Sequence, residues 1–287
     1  MKGRDFGSAE HPAELPTGTL WRECQAAGRE EAGLLRQIDH LVVLVEDLEA
    51  AIQAYHEAGF TVVRGGEHPT GTHNALIGFA DGAYLELIAF REPNPEHRWY
   101  RYLELGGGIV DLCLLSDDLG SDVEQIGARG VTLRISEGSR RRPDGVTIAW
   151  KGATPPDELT GLVPFLIEDV TPRSERVPHG QQAEHANGTR GLAEVLIAVP
   201  DLSHAVELWR AVTATDGELV HDAELGIAVH RFVVGPHRIG LAAGGNPLLV
   251  ERLERLGPGP VLSRLWAWTD AEVVLGTAHF QLRRLEV

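Results

Sequence analysis

The segment Ile38-Asp39-His40-Leu41-Val42-Val43-Leu44-Val45, followed by Asp47-Leu48, sets a pattern that recurs along this 287-residue chain. Its apolar, largely β-branched residues predict a buried strand, and the Asp-Leu pair predicts the start of an amphipathic helix. A glycine turn at Gly59 and three further strand-like segments follow. The unit is therefore predicted to run strand, helix and then three strands.

Two more copies of this unit follow the first. The second begins near Ile109 and turns at Asp118-Leu119, and the third turns at Asp201-Leu202. The residue seven positions before the turn aspartate is a potential metal ligand in all three copies, namely His40, Asp111 and Glu194. Any repeated βαβββ unit has a fixed distance from strand to helix, so the register predicts the repeat and leaves open whether these residues bind an ion.

The repeats predict an α+β protein built from tandem βαβββ modules. Residues 1–33 are polar and are interpreted as a flexible N-terminal arm. We expect one lobe at 34–172, made of modules 34–92 and 107–172. A linker at 173–190 would lead to residues 191–287, which hold a third module and a shortened fourth unit.

Composition restricts the class of partner. Asp and Glu outnumber Lys and Arg by 42 to 26, giving a net charge of −16 that disfavours nucleic acid and anionic membranes. The chain shows no secretory signal, no apolar run near the roughly 20 residues of a membrane span, and only two cysteines. We therefore expect a cytoplasmic protein that binds a small molecule, with no nucleic-acid or membrane partner. A homodimer using the third module is left open.

An ordered series of motifs resembles the vicinal oxygen chelate superfamily, which includes glyoxalase I, extradiol dioxygenases and bleomycin-resistance proteins. More narrowly, it resembles the glyoxalase-like domain group. The resemblance covers about residues 34–243 and implies that paired modules curl into cup-shaped mixed sheets, with helices on the convex side and a divalent metal on the concave face. Besides the opening segment, the motifs are Gly71-Thr72-His73-Asn74, Tyr84-Leu85-Glu86-Leu87-Ile88, Arg142-Pro143-Asp144-Gly145 with Trp150, Pro164-Phe165-Leu166-Ile167-Glu168 and His185-Ala186-Asn187-Gly188.

The same resemblance implies a metal-ligand set. His40 matches the first-strand ligand of module one, Glu86 its fourth-strand ligand and Asp111 the first-strand ligand of module two. The fourth position falls on Phe165, which departs from the usual glutamate. One imidazole and two carboxylates suit Mn²⁺, Fe²⁺, Ni²⁺ or Zn²⁺. No nucleotide cofactor is expected, because the triple glycine at 106–108 precedes a strand rather than a helix.

Strand alternation predicts the direction of these side chains. Ile38, His40 and Val42 would share one face, and Tyr84, Glu86 and Ile88 would share another. A carboxylate in such an apolar setting requires a cationic partner or a metal. The alternative is a metal-free cup in which His40 is a hydrogen-bonded core histidine and Glu86 pairs with an arginine.

Other residues are candidates for catalysis and substrate binding. His73, a second candidate catalytic residue, and Asn74 would lie on the third strand, where they contact substrate, support His40 or are simply exposed. Arg140-Arg141-Arg142 is interpreted first as a solvated hairpin turn, although Arg142 could bind an anionic group. Trp150, Phe165 and Tyr84 would line the cup.

Two functions remain open at this point. The first is a metal-dependent lyase, isomerase or dioxygenase in which Glu86 also acts as a general base, as the resemblance suggests. The second is a non-catalytic, metal-free binding protein of the bleomycin-resistance type. His40 together with Glu86 favours the first, and Phe165 at a ligand position favours the second.

Overall fold

A computed structural model describes residues 35–284, which lie in one compact unit. The predicted arm at 1–33 lies outside the described residues. The strands are β1 (Gln37–Leu44), β2 (Val63–Glu67), β3 (Thr72–Gly78), β4 (Tyr84–Phe90), β5 (Gly108–Leu115), β6 (Arg134–Arg141), β7 (Thr147–Thr154), β8 (Phe165–Asp169), β9 (Gly191–Ala198), β10 (Glu218–Asp222), β11 (Ile227–Val234), β12 (His237–Ala242), β13 (Gly259–Ala267), β14 (Ala271–Leu275) and β15 (Ala278–Arg284). The helices are α1 (Leu48–Glu57), α2 (Leu119–Ala128), α3 (Arg173–Arg176), α4 (Leu202–Thr213) and α5 (Pro247–Leu256).

The first eight strands close into a barrel in the order β1-β4-β3-β2-β6-β7-β8-β5. In each module the first strand runs parallel to the fourth, and the two first strands, β1 and β5, pair antiparallel to join the modules. The predicted α+β fold of tandem βαβββ modules is confirmed. The sheet curves far enough to close on itself as a barrel with an interior.

The repeated Asp-Leu pair is a helix N-cap. Asp47 accepts hydrogen bonds from the N–H groups of Glu49 and Ala50, which satisfies donors that the first turn of α1 leaves unpaired. Asp118 and Asp201 cap α2 and α4 in the same way. The spacing that predicts the repeat therefore reflects a strand followed by a capped helix.

Helix α1 covers the outside of the barrel. Leu41 and Val43 of β1 belong to the same buried apolar cluster as Leu48 and Tyr55 of α1. Burying side chains of this size contributes about 1.5–3 kcal/mol each. The outward face of β1 is thus committed to the core, which leaves its other face for the barrel interior.

The last seven strands form a separate sheet in the order β10-β11-β12-β9-β13-β15-β14. Glu194, which matches His40 in register, is neutralised by Arg231 and Arg264, each with a nitrogen 2.7 Å from its carboxylate. This acid therefore supports packing within the second sheet. No helix among residues 35–284 is long and apolar enough to cross a membrane.

A β-bulge interrupts the alternation of β1 at its start. Ile38 pairs with Leu114 and His40 pairs with Cys113, so that Asp39 is the extra residue. Ile38 consequently packs in the cluster under the helices with Leu41, not on the face of His40. The expectation that Ile38 and His40 share a face is wrong for this reason.

Candidate functional site

The barrel contains a partly open cavity of about 250 Å³. Its walls include His40, Asn74, Tyr84, Glu86, Trp150 and Phe165, all of which the sequence singled out. The volume is close to the lower end of the range for small-molecule pockets. The interior therefore suits a compact ligand.

His40 is held from behind by a buried carboxylate. Its Nδ1 lies 2.6 Å from Oδ1 of Asp39, which is fully buried and also accepts hydrogen bonds from Arg173 and Arg176. Burial opposes ionisation of Asp39, but Arg176 holds the pKa of that carboxyl well below its usual range. With Nδ1 engaged, His40 presents Nε2 to the cavity.

Glu86 lies directly opposite that nitrogen. His40 Nε2 is 3.4 Å from Oε2 of Glu86, and Asn74 Nδ2 donates a hydrogen bond of 2.6 Å to Oε1. Burial opposes ionisation of Glu86, but hydrogen bonding to His40, the charges of His40 and His68 and the bond from Asn74 lower its pKa to about 2. The imidazole of His40 is therefore the nearest basic group to this carboxylate.

Protonation of His40 follows from the same contacts. Burial disfavours the charged imidazole, yet the hydrogen bond with the Asp39 carboxylate helps to hold the pKa of His40 well above 6.5. His40 and Glu86 thus form a buried pair of opposite charge at the floor of the cavity. Such a pair is unusual in a core and marks a candidate site.

His68 is a cavity residue that the sequence analysis missed. It lies between β2 and β3, where its Nδ1 is 2.9 Å from Oγ1 of Thr72 and its Nε2 is 3.9 Å from Oε1 of Glu86. Burial lowers the pKa of His68, which favours the neutral imidazole. Because it lies in a connection without periodicity, only its residue type could have drawn attention to it.

Asp111 is not brought together with His40 and Glu86. Its carboxylate is held by Arg98, by Trp99 Nε1 at 2.9 Å and by the N–H of Leu112 at 3.0 Å. Asp111 does not line the cavity, whereas Arg98 and Trp99 do. This acid therefore anchors an arginine of the cavity wall.

Arg142 and His73 also lie away from the cavity lining. Arg142 pairs on the surface with Asp144 and with Glu175, the latter at 2.6 Å. On β3 the neighbours of His73 at positions 72 and 74 are buried against the cavity, and His73 itself is half-buried. Neither residue is positioned to contact a ligand inside the barrel.

Arg140 takes the place in the cavity that the sequence suggested for Arg142. It lies within β6 and not in a hairpin turn, and it is 4% exposed. Its Nη1 and Nη2 donate to Asn74 Oδ1 at 3.3 Å and to the backbone oxygen of Arg176 at 2.6 Å. The turn expected at 140–142 begins only at Arg142, because β6 extends through Arg141 to pair with Thr147.

Aromatic rings surround the polar floor. Tyr84 stacks on His40 with ring centroids 4.6 Å apart, and Phe165 meets the same imidazole edge-on at 5.3 Å. The guanidinium of Arg98 lies 4.8 Å from the centroid of Phe165. Phe165, at the fourth ligand position of the superfamily pattern, is therefore a wall of the cavity.

A second group of ligand type lies behind His40. Within residues 35–284, Asp39, His40 and Cys113 bring three potential ligand atoms within 4.8 Å of one another. However, the Asp39 carboxylate is already bound by arginines, and burial raises the pKa of Cys113 to about 11, which keeps it a thiol. This group is better suited to orient His40 than to hold an ion.

The superfamily pattern implies a divalent metal, and two of its three implied ligands, His40 and Glu86, fit one. Metal–ligand bonds of about 2.0–2.2 Å place neighbouring ligand atoms about 3–3.5 Å apart, as His40 Nε2 and Glu86 Oε2 are. A carboxylate on the far nitrogen is the usual support of a metal-bound histidine, and Asp39 supplies it. Asp111 does not fit, because Arg98 and Trp99 occupy its carboxylate.

A search against protein-family models matches residues 38–213 to the family described as Glyoxalase-like domain. None of the curated proteins matches the sequence significantly.

Solved structures share the fold at low sequence identity. A hypothetical protein from Staphylococcus aureus superimposes with a TM-score of 0.65 and 13% identity over 86% of this chain and 99% of that one. A mutant of 4-hydroxymandelate synthase from Streptomyces coelicolor superimposes with a TM-score of 0.57 and 16% identity, over 81% of this chain and 71% of that one. A fusion of a xylose isomerase-like TIM barrel with 4-hydroxyphenylpyruvate dioxygenase superimposes with a TM-score of 0.52 and 15% identity, over 83% of this chain and 37% of that one.

Proposed function

Because this chain belongs to the glyoxalase-like domain family of the vicinal oxygen chelate superfamily, we propose that it is a metal-dependent enzyme acting on a small molecule inside the barrel. The observation that carries the proposal is the position of His40, whose Nε2 is directed at Glu86, 3.4 Å away, by the buried carboxylate of Asp39. The dioxygenase and synthase named above share only the fold, so the residues carry the argument.

The residues that would hold the metal are His40, Glu86 and His68. Both imidazoles have Nδ1 engaged by a neighbour and Nε2 near the Glu86 carboxylate. Two imidazoles and one carboxylate suit Mn²⁺, Fe²⁺, Ni²⁺ or Zn²⁺. When bound, such an ion would supply Lewis-acid polarisation of a substrate oxygen, the chemistry that lyases and isomerases of this type require, whereas a dioxygenase would require a redox-active ion such as Fe²⁺ or Mn²⁺.

The remaining groups set orientation and protonation. Asp39 holds the Nδ1 side of His40, so that release of the Nε2 proton on metal binding would leave a lone pair directed at the cavity. Asn74 holds Oε1 of Glu86 at 2.6 Å. A pKa of about 2 keeps Glu86 ionised at neutral pH, which suits a ligand and makes it a weak general base. Tyr84 and Phe165 place aromatic side chains beside the polar floor, in contact with His40.

A second candidate function is non-catalytic binding of a small molecule. The withdrawal of Asp111 from the cavity and the aromatic side chain of Phe165 at a ligand position favour it. In that case His40 and Glu86 remain a metal-free buried pair that orients the ligand.

Metal analysis distinguishes the two. Protein stripped of metal is dialysed against Mn²⁺, Ni²⁺ or Zn²⁺ and its metal content is measured. We expect stoichiometric binding that is lost in Glu86→Gln and His40→Ala and weakened in His68→Ala. The matched control is His73→Ala, which removes an imidazole from the neighbouring strand outside the cavity and keeps the ion.

Failure of the wild-type protein to bind any of the three ions overturns the enzyme proposal, as does retention of the ion by both Glu86→Gln and His40→Ala. Circular dichroism and the melting temperature of each variant show that lost binding is not lost folding.

A further inference from the structure

The cavity is lined by a buried arginine that lacks an anionic partner. In the described residues 35–284, Arg140 donates to an amide oxygen of Asn74 and to a backbone oxygen, and neither acceptor is charged. Its Nε is buried and has no hydrogen-bond partner. A buried guanidinium without a carboxylate is costly, and a ligand anion would compensate it.

Arg98 provides a second incompletely used guanidinium on the same cavity. Its Nη2 is bound to Asp111, while its Nη1 is buried and has no partner in the part of the chain that the structure describes. Arg98 is clamped between the rings of Trp99 and Phe165, with its Cζ 5.1 and 4.8 Å from their centroids. Asp111 and the two rings therefore hold the guanidinium group of Arg98 in a fixed orientation.

The carboxylates that line the cavity do not satisfy these donors. Glu86 is engaged by His40 and Asn74. Glu137 is exposed, and its strand neighbour across the β6–β7 ladder is Lys151. Among the described residues, Arg98 and Arg140 thus line the cavity with unpaired donors. Because the unpaired nitrogens are themselves buried, each guanidinium has to shift toward the cavity to pair with a bound anion.

The rest of the wall is suited to a flat apolar group. Gly138 lies opposite Trp150 in the β6–β7 ladder, and a Cβ at this glycine would collide with the indole. The indole therefore occupies the space that a side chain at position 138 would fill, and it lines one side of the cavity. With Trp99 and Phe165 it provides aromatic surface on which a planar ring can stack.

We propose that the cavity binds a small planar organic carboxylate, with Arg140 and Arg98 as anion-binding residues and the aromatic side chains around its ring. Guanidinium groups recognise carboxylates through paired hydrogen bonds, which a neutral analogue cannot reproduce. The inference rests on the proposed function for the location of the site and is independent of the metal.

The test compares carboxylates with amides of the same shape. Binding of benzoate, phenylacetate and 2-naphthoate, and of the three matching amides, is measured by calorimetry on the metal-stripped full chain. We expect at least one carboxylate to bind about tenfold or more tightly than its amide, as charge-assisted hydrogen bonds imply. Arg140→Gln and Arg98→Gln should each reduce this preference while amide binding persists.

The matched control is Arg142→Gln, which removes a surface arginine two residues from Arg140 and should keep the preference in full. If Arg140→Gln does not fold, Arg98→Gln alone decides the result. The inference is overturned if no carboxylate binds better than its amide, or if the folded cavity variants keep the full preference. If the protein prefers carboxylates but binds no metal, only the proposal of a metal-dependent enzyme is overturned. If it binds metal but shows no preference for carboxylates, only the present inference is overturned.

Discussion

Asp39 Oδ1 lies 2.6 Å from Nδ1 of His40, although the two residues are adjacent in strand β1. Successive side chains of a regular strand point to opposite faces, so this contact depends on the bulge at Asp39. The bulge brings a buried carboxylate behind the imidazole and directs Nε2 into the barrel. A local irregularity of β1 is therefore what organises the site.

We predict that Asp39→Asn destabilises the protein by about 3–5 kcal/mol, the usual cost of breaking a buried ion pair. Asp39 is fully buried and binds both Arg173 and Arg176, which would lose their anionic partner. Urea unfolding measures the change. Glu67→Gln, which removes a carboxylate from an exposed pair with Arg91, serves as the control and should unfold almost like wild type. Equal stability of the two variants would show that the Asp39 network contributes little.

We predict that Gly65→Ala weakens carboxylate binding more than amide binding. A Cβ at Gly65 would overlap with Oδ1 of Asn74 and crowd Nη1 of Arg140, so that the guanidinium has to move. Calorimetry with 2-naphthoate and 2-naphthamide measures the effect. The control is Gly127→Ala in α2, where a Cβ meets open space and should stabilise the helix by about 0.5–1 kcal/mol without changing either affinity. An unchanged ratio of affinities in Gly65→Ala would argue against Arg140 as an anion-binding residue.

We predict that the pH dependence of stability contains a contribution from His237. Burial lowers the pKa of this imidazole, which lies 4.0 Å from Asp81 and hydrogen-bonds the Leu192 oxygen at 2.7 Å. Below about pH 6.5 the unfolded chain binds a proton that the folded protein resists, so the free energy of unfolding falls as the pH falls. This decrease in the free energy of unfolding with falling pH should be smaller in His237→Asn.

Urea unfolding at about pH 7.5 and about pH 5.5, on either side of the ordinary histidine pKa, measures this slope. His204→Asn, which removes an exposed imidazole from α4, is the control and should keep the wild-type slope. If His237→Asn and the wild type lose the same stability over this range, the buried imidazole does not titrate as described.

We predict that Asp111→Asn keeps the metal stoichiometry of the wild type, because its carboxylate is bound to Arg98 and Trp99 and does not face the cavity. Elemental analysis after dialysis against Mn²⁺ measures it, and Glu86→Gln is the comparison that should lose the ion. Loss of the ion in Asp111→Asn, with the fold intact by circular dichroism, would restore Asp111 to the ligand set that the superfamily resemblance implies.

The sequence predicts the fold because each module repeats the same physical elements. A buried strand, an N-capping aspartate and an amphipathic helix recur, and Asp47 caps its helix in the structure as the spacing requires. Period-two alternation also placed Glu86 with Tyr84, and both line the cavity. These features depend on local hydrogen bonding and on burial of one face, which a single sequence reveals.

The site is less predictable because its remaining residues come from irregular or distant segments. His68 lies in a connection, a bulge brings Asp39 behind His40, and Arg176 comes from the segment interpreted as a linker. Asp111 fits the register of a ligand, but Arg98, 13 residues earlier, takes its carboxylate. Neither alternation nor register reports such contacts, since they depend on the closure of the barrel.

The central claim is that His40 and Glu86 form the reactive centre of the barrel, and crystals of the full chain soaked in Mn²⁺ test it most directly. The account predicts an anomalous-scattering peak within about 2.0–2.3 Å of both His40 Nε2 and the Glu86 carboxylate, at ordinary metal–ligand distances. A peak at Asp39 and Cys113, on the other side of the imidazole, or an empty cavity in crystals grown from metal-loaded protein, would contradict it.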